Sequence, residues 1–111
     1  MSKREFLGSL ELLVLSAVLR AGREASGIPI AREIEAATGR PVPLGSIYAT
    51  LARLEDKGLV TSQLGAPTPE RGGRAKAFFR LSNTGLGELR HAQRSLRALW
   101  EELPAEQRGS A

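Results

Sequence analysis

The chain has 111 residues, 41% of them hydrophobic and 25% charged, and a formal net charge of +4 from 16 Lys+Arg against 12 Asp+Glu. This is the size of one domain with one small core, burying about two thirds of its unfolded surface, and the composition excludes a disordered or fibrous chain. Cysteine is absent and His91 is the only histidine, which excludes a disulfide framework, thiol catalysis and a Cys-ligated zinc site and leaves too few ligands for a histidine metal centre or a Ser/His device.

No apolar run approaches the length of a membrane span. The opening MSKREFLGS leads into a helical pattern containing Glu11 rather than a signal-peptide core, so the chain is read as cytoplasmic. The charge is unevenly placed. Residues 1 to 60 carry eight basic and seven acidic groups and residues 82 to 111 carry four of each, whereas residues 61 to 81 carry Arg71, Arg74, Lys76 and Arg80 against Glu70 alone. Three of the four net charges (4 − 1) therefore sit in one short segment, the footprint of a phosphate-binding surface.

The first helix is expected from Ser9, as N-cap, to Arg20, with Ala21-Gly22 as the stop. Leu10, Leu13, Val14, Ala17 and Val18 form one apolar stripe, and Leu12, Leu15 and Leu19 form a second. Two stripes need two partners, the chain's own core and a second subunit; full burial in a monomer is the plain alternative. A second helix is expected from about Ile28 to Thr38, capped by Ser26 or Gly27 and ended by Gly39, with Ile30, Ile34 and Ala37 facing inward.

After the turn Gly39-Arg40-Pro41-Val42 comes Pro43 to Gly58, PLGSIYATLARLEDKG. Leu44, Ile47, Leu51 and Leu54 make one apolar stripe on a helix. Gly45, Ser46, Ala49 and Arg53 lie opposite, with Thr50 and Lys57 on one flank and Tyr48 on the other. Small and hydrogen-bonding groups allow a close approach to nucleic acid, although the same pattern taken alone fits a helix whose polar side is only solvated. Ser46, Thr50 and Arg53 are the candidates for reaching base edges, and the Tyr48 hydroxyl for a phosphate. Arg53 can instead pair with Glu55 or Asp56, and that acidic pair limits how deeply this end enters a groove. Two helices joined in this way form a helix-turn-helix.

Strands are expected over Leu59 to Leu64 and Lys76 to Leu81, with Ala77, Phe79 and Leu81 alternating against Lys76, Phe78 and Arg80. Between them GAPTPERGGRA has glycine and proline punctuation and no apolar anchor, so it reads as an extended hairpin tip, the wing of a winged helix. Arg71, Gly72, Gly73, Arg74 and Lys76 there can follow a phosphate backbone or enter a minor groove.

A last helix is expected from Ser82, as cap, to Leu103, stopped by Pro104. Leu86, Leu89, Gln93, Leu96, Trp100 and Leu103 are spaced 3, 4, 3, 4, 3, a heptad seam that also suits ordinary packing. Dimerisation through this seam and the Leu12, Leu15 and Leu19 stripe is the preferred reading. Trp100 either packs there or, with its twin, stacks a planar aromatic effector together with Leu96. The domains are thus 1–81, a DNA-binding winged unit, 82–104, a dimerisation helix, and 105–111, a frayed tail. Glu33 with Glu35 and Glu101 with Glu102 diverge on their helices and make no catalytic pair, His91 reads as a surface or interface residue, and Gly85-Leu86-Gly87 lacks the third glycine and the βαβ unit of a dinucleotide site.

LGSLELLVLSAVLRAG, GIPIAREIEAATG, GSIYATLARLEDKGLV and ERGGRAKAFFRLSNTG, in this order, resemble the PadR family of bacterial transcriptional regulators over about residues 7 to 103. The resemblance implies a mainly α fold with a small β-hairpin, a winged helix-turn-helix plus a C-terminal dimerisation helix. It also implies a homodimer on palindromic double-stranded DNA, typically a repressor released by a small molecule, with no cofactor. It places the family's recognition-helix tyrosine on Tyr48 and its basic wing positions on Arg74 and Lys76. Two departures stand out: Phe78-Phe79 replaces a frequent tyrosine pair, and the indole of Trp100 lies a turn beyond Leu96, where some short members carry theirs. The expected function is sequence-specific DNA binding and not enzymatic. The rivals are a winged module for protein contact and a small-molecule-binding dimer without DNA affinity.

Overall fold

The computed structural model describes residues 6–65, 76–101 and 103–108. In chain order they form helix α1 (Ser9–Ala21), a 3-10 turn (Gly22–Glu24), α2 (Gly27–Thr38), α3 (Leu44–Asp56), strands β1 (Val60–Leu64) and β2 (Ala77–Leu81), α4 (Asn83–Glu101) and a short α5 (Ala105–Arg108).

Helix α1 is the hub, touching α2, α3, β2 and α4. Its Val14, Leu15, Ala17 and Val18 are buried with Ile30 and Ile34 of α2, Ile47, Leu51 and Leu54 of α3, and Leu59, Val60 and Phe79 of the hairpin base. A helix enclosed on so many sides uses more than one stripe. Leu15, expected at a subunit interface, is fully buried in this core, where a leucine contributes about 1.5–3 kcal/mol. Leu12 is half-buried and Leu19 exposed, so only these two of the second stripe remain at the surface. Ala37, expected inward, is exposed in the last turn of α2.

The helix ends follow local chemistry. Helix α1 begins one residue earlier than expected: Gly8 is the N-cap, and its amide donates to Glu11 Oε1 at 2.8 Å, half of a capping box. Helix α2 stops at Gly39, whose φ of 75° places it in the left-handed region that favours glycine. Pro43 caps α3 through its carbonyl, which accepts from the Ser46 and Ile47 amides at 3.0 and 3.2 Å.

Strands β1 and β2 pair antiparallel from Val60 opposite Leu81 to Leu64 opposite Ala77. Phe79 on β2 faces the core, and its amide donates to Ala25 O at 2.8 Å, adding the segment before α2 to the sheet edge. Two helices joined by a turn, then a hairpin on the same core, make the expected winged helix-turn-helix, with α4 as an added C-terminal helix. The segment after Pro104, expected to carry no pattern, instead forms the turn of α5, with the Gln107 amide donating to Pro104 O at 3.0 Å.

Candidate nucleic-acid interface

Helix α3 buries Ile47, Leu51 and Leu54 and leaves Gly45, Tyr48, Ala49, Ala52 and Arg53 exposed, with Ser46 half-exposed. Leu44, Glu55 and Asp56 are exposed as well, the acidic pair in the last turn; from Gly45 to Arg53, apart from Tyr48 and Arg53, the face is small, so this part of the helix backbone can approach a groove closely. Ala52 belongs to it and was missed by the sequence reading; its place beside Ala49 and Arg53 on the helical wheel was the available signal.

Thr50 corrects the expectation of a base-reading hydroxyl. It is fully buried, and its Oγ1 accepts from Arg53 Nη2 at 3.1 Å. The reason is periodicity: Thr50 stands three residues after Ile47 and four before Leu54, within the buried arc. Arg53 therefore leans back along its own helix rather than onto Glu55 or Asp56. Glu55 accepts from Ser62 Oγ of β1 at 2.8 Å, which ties that carboxylate to the hairpin.

Tyr48 is 49% exposed, and the end of its ring lies directly over Gly27 at the start of α2. A Cβ on Gly27 would overlap the phenol oxygen, so this glycine lets the ring lie where it does. Next to it the N-cap Ser26 is buried, and its hydroxyl has no hydrogen-bond partner among the described residues. The tyrosine hydroxyl is thus held at the amino end of α2.

Lys57, expected on a flank of the reading face, turns the other way. Its Nζ donates to Glu11 Oε2 of α1 at 2.7 Å. Glu11 is 8% exposed, and its carboxyl is held below the usual glutamate range, chiefly by the hydrogen bond from Lys57, with the Gly8 amide helping and burial opposing. The available signal was a carboxylate at the head of a buried stripe, which demands a cation.

Of the wing residues, Arg71, Gly72, Gly73 and Arg74 lie outside the described residues. Lys76 is described: its Nζ stands 5.6 Å from the centroid of the Phe78 ring, a cation–π distance that stiffens the base of the basic segment. The Gly65 amide donates to Lys76 O at 2.7 Å and closes the described hairpin.

A helix with a small exposed face, set against α2 and followed by two paired strands whose connecting sequence is basic, is the arrangement that the family comparison meets. The family model described as transcriptional regulator PadR-like matches residues 14–91. The chain belongs to the PadR-like family. Solved structures agree. A PadR family transcriptional regulator from Eggerthella lenta is 28% identical with a TM-score of 0.66, covering 85% of this chain and 77% of that one. A PadR family transcription regulator from Clostridium difficile (24%, TM-score 0.67, 85% and 93% covered) and a PadR-like regulator from Bacillus cereus (21%, 0.66, 81% and 82%) share the fold. A search of curated proteins gives no significant match.

This PadR-like transcriptional regulator has a second notable surface, formed by α1 and α4. Leu19, Leu96, Leu99 and Trp100 are exposed there, with Trp100 at 50%, while Leu103, expected inside the last helix, stands exposed in the bend beyond the end of α4. Leu86 and Leu89 are half-buried against the chain's own fold, and Gln93 is exposed. The seam is therefore split: its first turn packs within the subunit and its later turns are open. Two grooves run between the helices, of about 400 and 560 Å³, and Leu12 and Leu96 line both while Trp100 lines neither. Among the described residues no helix is long and apolar enough to cross a membrane.

Proposed function

We propose that this PadR-like regulator works in the cytoplasm as a homodimer on a palindromic operator, as a repressor and not an enzyme, with α3 of each subunit in a major groove and the wing on backbone or minor groove. The observation that carries this is the exposed face of α3, where Gly45, Ser46, Ala49 and Ala52 keep side-chain bulk away while Tyr48 and Arg53 flank it. In this reading Ser46 and Arg53 read bases and Tyr48 binds a phosphate. Gly45 gives the close approach, and Arg71, Gly72, Gly73, Arg74 and Lys76 hold the backbone. The subunits pair through Leu12, Leu19, Leu86, Leu89, Gln93, Leu96, Trp100 and Leu103.

A small aromatic effector has a place in the grooves against Leu96, and Trp100 reaches it only from a second subunit. Selecting bound duplexes from a random pool tests the reading: a palindrome is expected, and an unenriched pool would refute it. Binding should also weaken steeply between about 50 and 200 mM salt. Arg74→Ala should weaken binding to all duplexes alike and flatten the salt slope by about one unit; an unchanged slope removes the wing from the interface.

A further inference from the structure

Helix α3 ends and helix α4 begins on the same few atoms. The amides of Lys57, Gly58 and Leu59 close α3 by donating to Arg53 O (3.0 Å), Glu55 O (2.9 Å) and Leu54 O (2.9 Å), with Gly58 at a φ of 76°. The carbonyls of the same turn then hold the next element. Ser82 Oγ donates to Gly58 O at 2.6 Å, and the Ser82 amide donates to Leu59 O at 3.0 Å. Ser82 Oγ also caps α4 by accepting from the Gly85 amide at 2.9 Å.

Gly85 is buried and lies flat on the Leu59 peptide. A Cβ there would overlap the Leu59 carbonyl oxygen and stand 2.9 Å from its carbon. The obstacle is backbone, so it is the helix that has to move. Two residues further along the same helix, Gly87 has open space around its Cβ position.

The C-terminal cap of the reading helix and the N-terminal cap of α4 are therefore one joint, and it fixes the direction of α4 relative to α3. We propose that Ser82 and Gly85 are positioning residues that set the half-site spacing this regulator reads, without touching DNA. The inference rests on the proposed pairing through α4. The lever is long: α4 has 19 residues, about 28 Å at 1.5 Å per residue. A tilt of about 7° at its root moves the far end by about 3.4 Å, one base-pair step, and two-fold symmetry doubles the displacement between subunits.

The test uses the full chain, the selected operator, and versions of it with the spacer between half-sites changed by one or two base pairs in each direction. Affinity is measured by fluorescence anisotropy, and oligomeric state by sedimentation at the same concentrations. The wild type is expected to show one spacing optimum, at least about tenfold above its neighbours. Gly85→Ala should move that optimum by a base pair or reduce the discrimination to under about threefold, while the dimer and the affinity for a single half-site stay as in the wild type. Ser82→Ala should act in the same direction, and Gly87→Ala should match the wild type.

Dimeric Gly85→Ala and Ser82→Ala proteins with the wild-type spacing profile would overturn the proposal, and Ser82→Ala alone decides if Gly85→Ala does not fold. A flat wild-type profile from a sedimenting dimer overturns it too. A wild-type monomer instead removes the dimer reading, and the inference falls with it.

Discussion

The ion pair between Glu11 and Lys57 joins the first turn of α1 to the end of α3, residues 46 apart in sequence. Lys57→Met would leave the Glu11 carboxylate, whose side chain is 10% exposed, with the Gly8 amide as its one hydrogen-bond partner among the described residues. Removing one member of a fully buried pair costs about 3–5 kcal/mol. The Lys57 side chain is 38% exposed, so solvent already screens the pair and the expected loss is about 2 kcal/mol. At about 4 °C per kcal/mol for a chain of this length, Tm should fall by about 8 °C.

Acid gives an independent check on the same pair. The folded carboxyl is depressed below its unfolded value. Its contribution is thus fully present above about pH 4.3 and is lost as pH falls through the lower folded value. Glu11→Gln should accordingly be less stable than the wild type at neutral pH, and the gap should narrow as pH drops below about 4. The assay is urea unfolding followed by far-UV circular dichroism across that range. Parallel curves for Glu11→Gln and wild type, or a Lys57→Met loss under about 0.5 kcal/mol, would refute the reasoning.

Thr50→Val should disturb at most the base that Arg53 reads, because the buried hydroxyl accepts from Arg53 Nη2; loss of preference at a base that Arg53→Ala leaves unchanged, worth about 1–3 kcal/mol, would make Thr50 a reader after all. Gly27→Ala should displace the Tyr48 ring and weaken binding to every duplex by several-fold; unchanged affinity would take Tyr48 out of the interface. Leu96→Glu should keep subunit stability within about 0.5 kcal/mol, as expected of an exposed site, while abolishing dimer sedimentation and operator binding together. A stable Leu96→Glu dimer would contradict the seam.

Much of this fold is legible in the chain because its signals are local. Gly39 and Gly58 stand where helices end in the left-handed region, Ser82 caps α4, and the alternation around Phe79 places the correct face of β2 inward. The errors come from burial decided by distant neighbours. Leu15 and Thr50 lie on the shoulders of their stripes, and only the number of elements packed around α1 and α3 decides that a shoulder is core. Ala37 fails in the opposite sense, since its stripe outruns the core at the end of α2. For the Glu11–Lys57 pair the chain shows only that a carboxylate at the head of a buried stripe needs a cation, not which one, and the close approach of Tyr48 to Gly27 has no local signature, because each joins two helices whose crossing the sequence does not state. Of the interface itself, the small face of α3 follows from helical period alone, with Ala52 the residue overlooked.

The chain's single tryptophan stands half-exposed near the tip of α4, well past the turns that pack on the winged unit. Its fluorescence is consequently a built-in gauge of the end of α4: quenching and spectral shifts follow whatever covers it, a second subunit in the proposed dimer included. If the subunits pair as proposed, an unfolding curve read from that indole would trace their separation, whereas one read from helical dichroism would trace the winged core, and the interval between the two midpoints would measure how far pairing outlasts or precedes the fold.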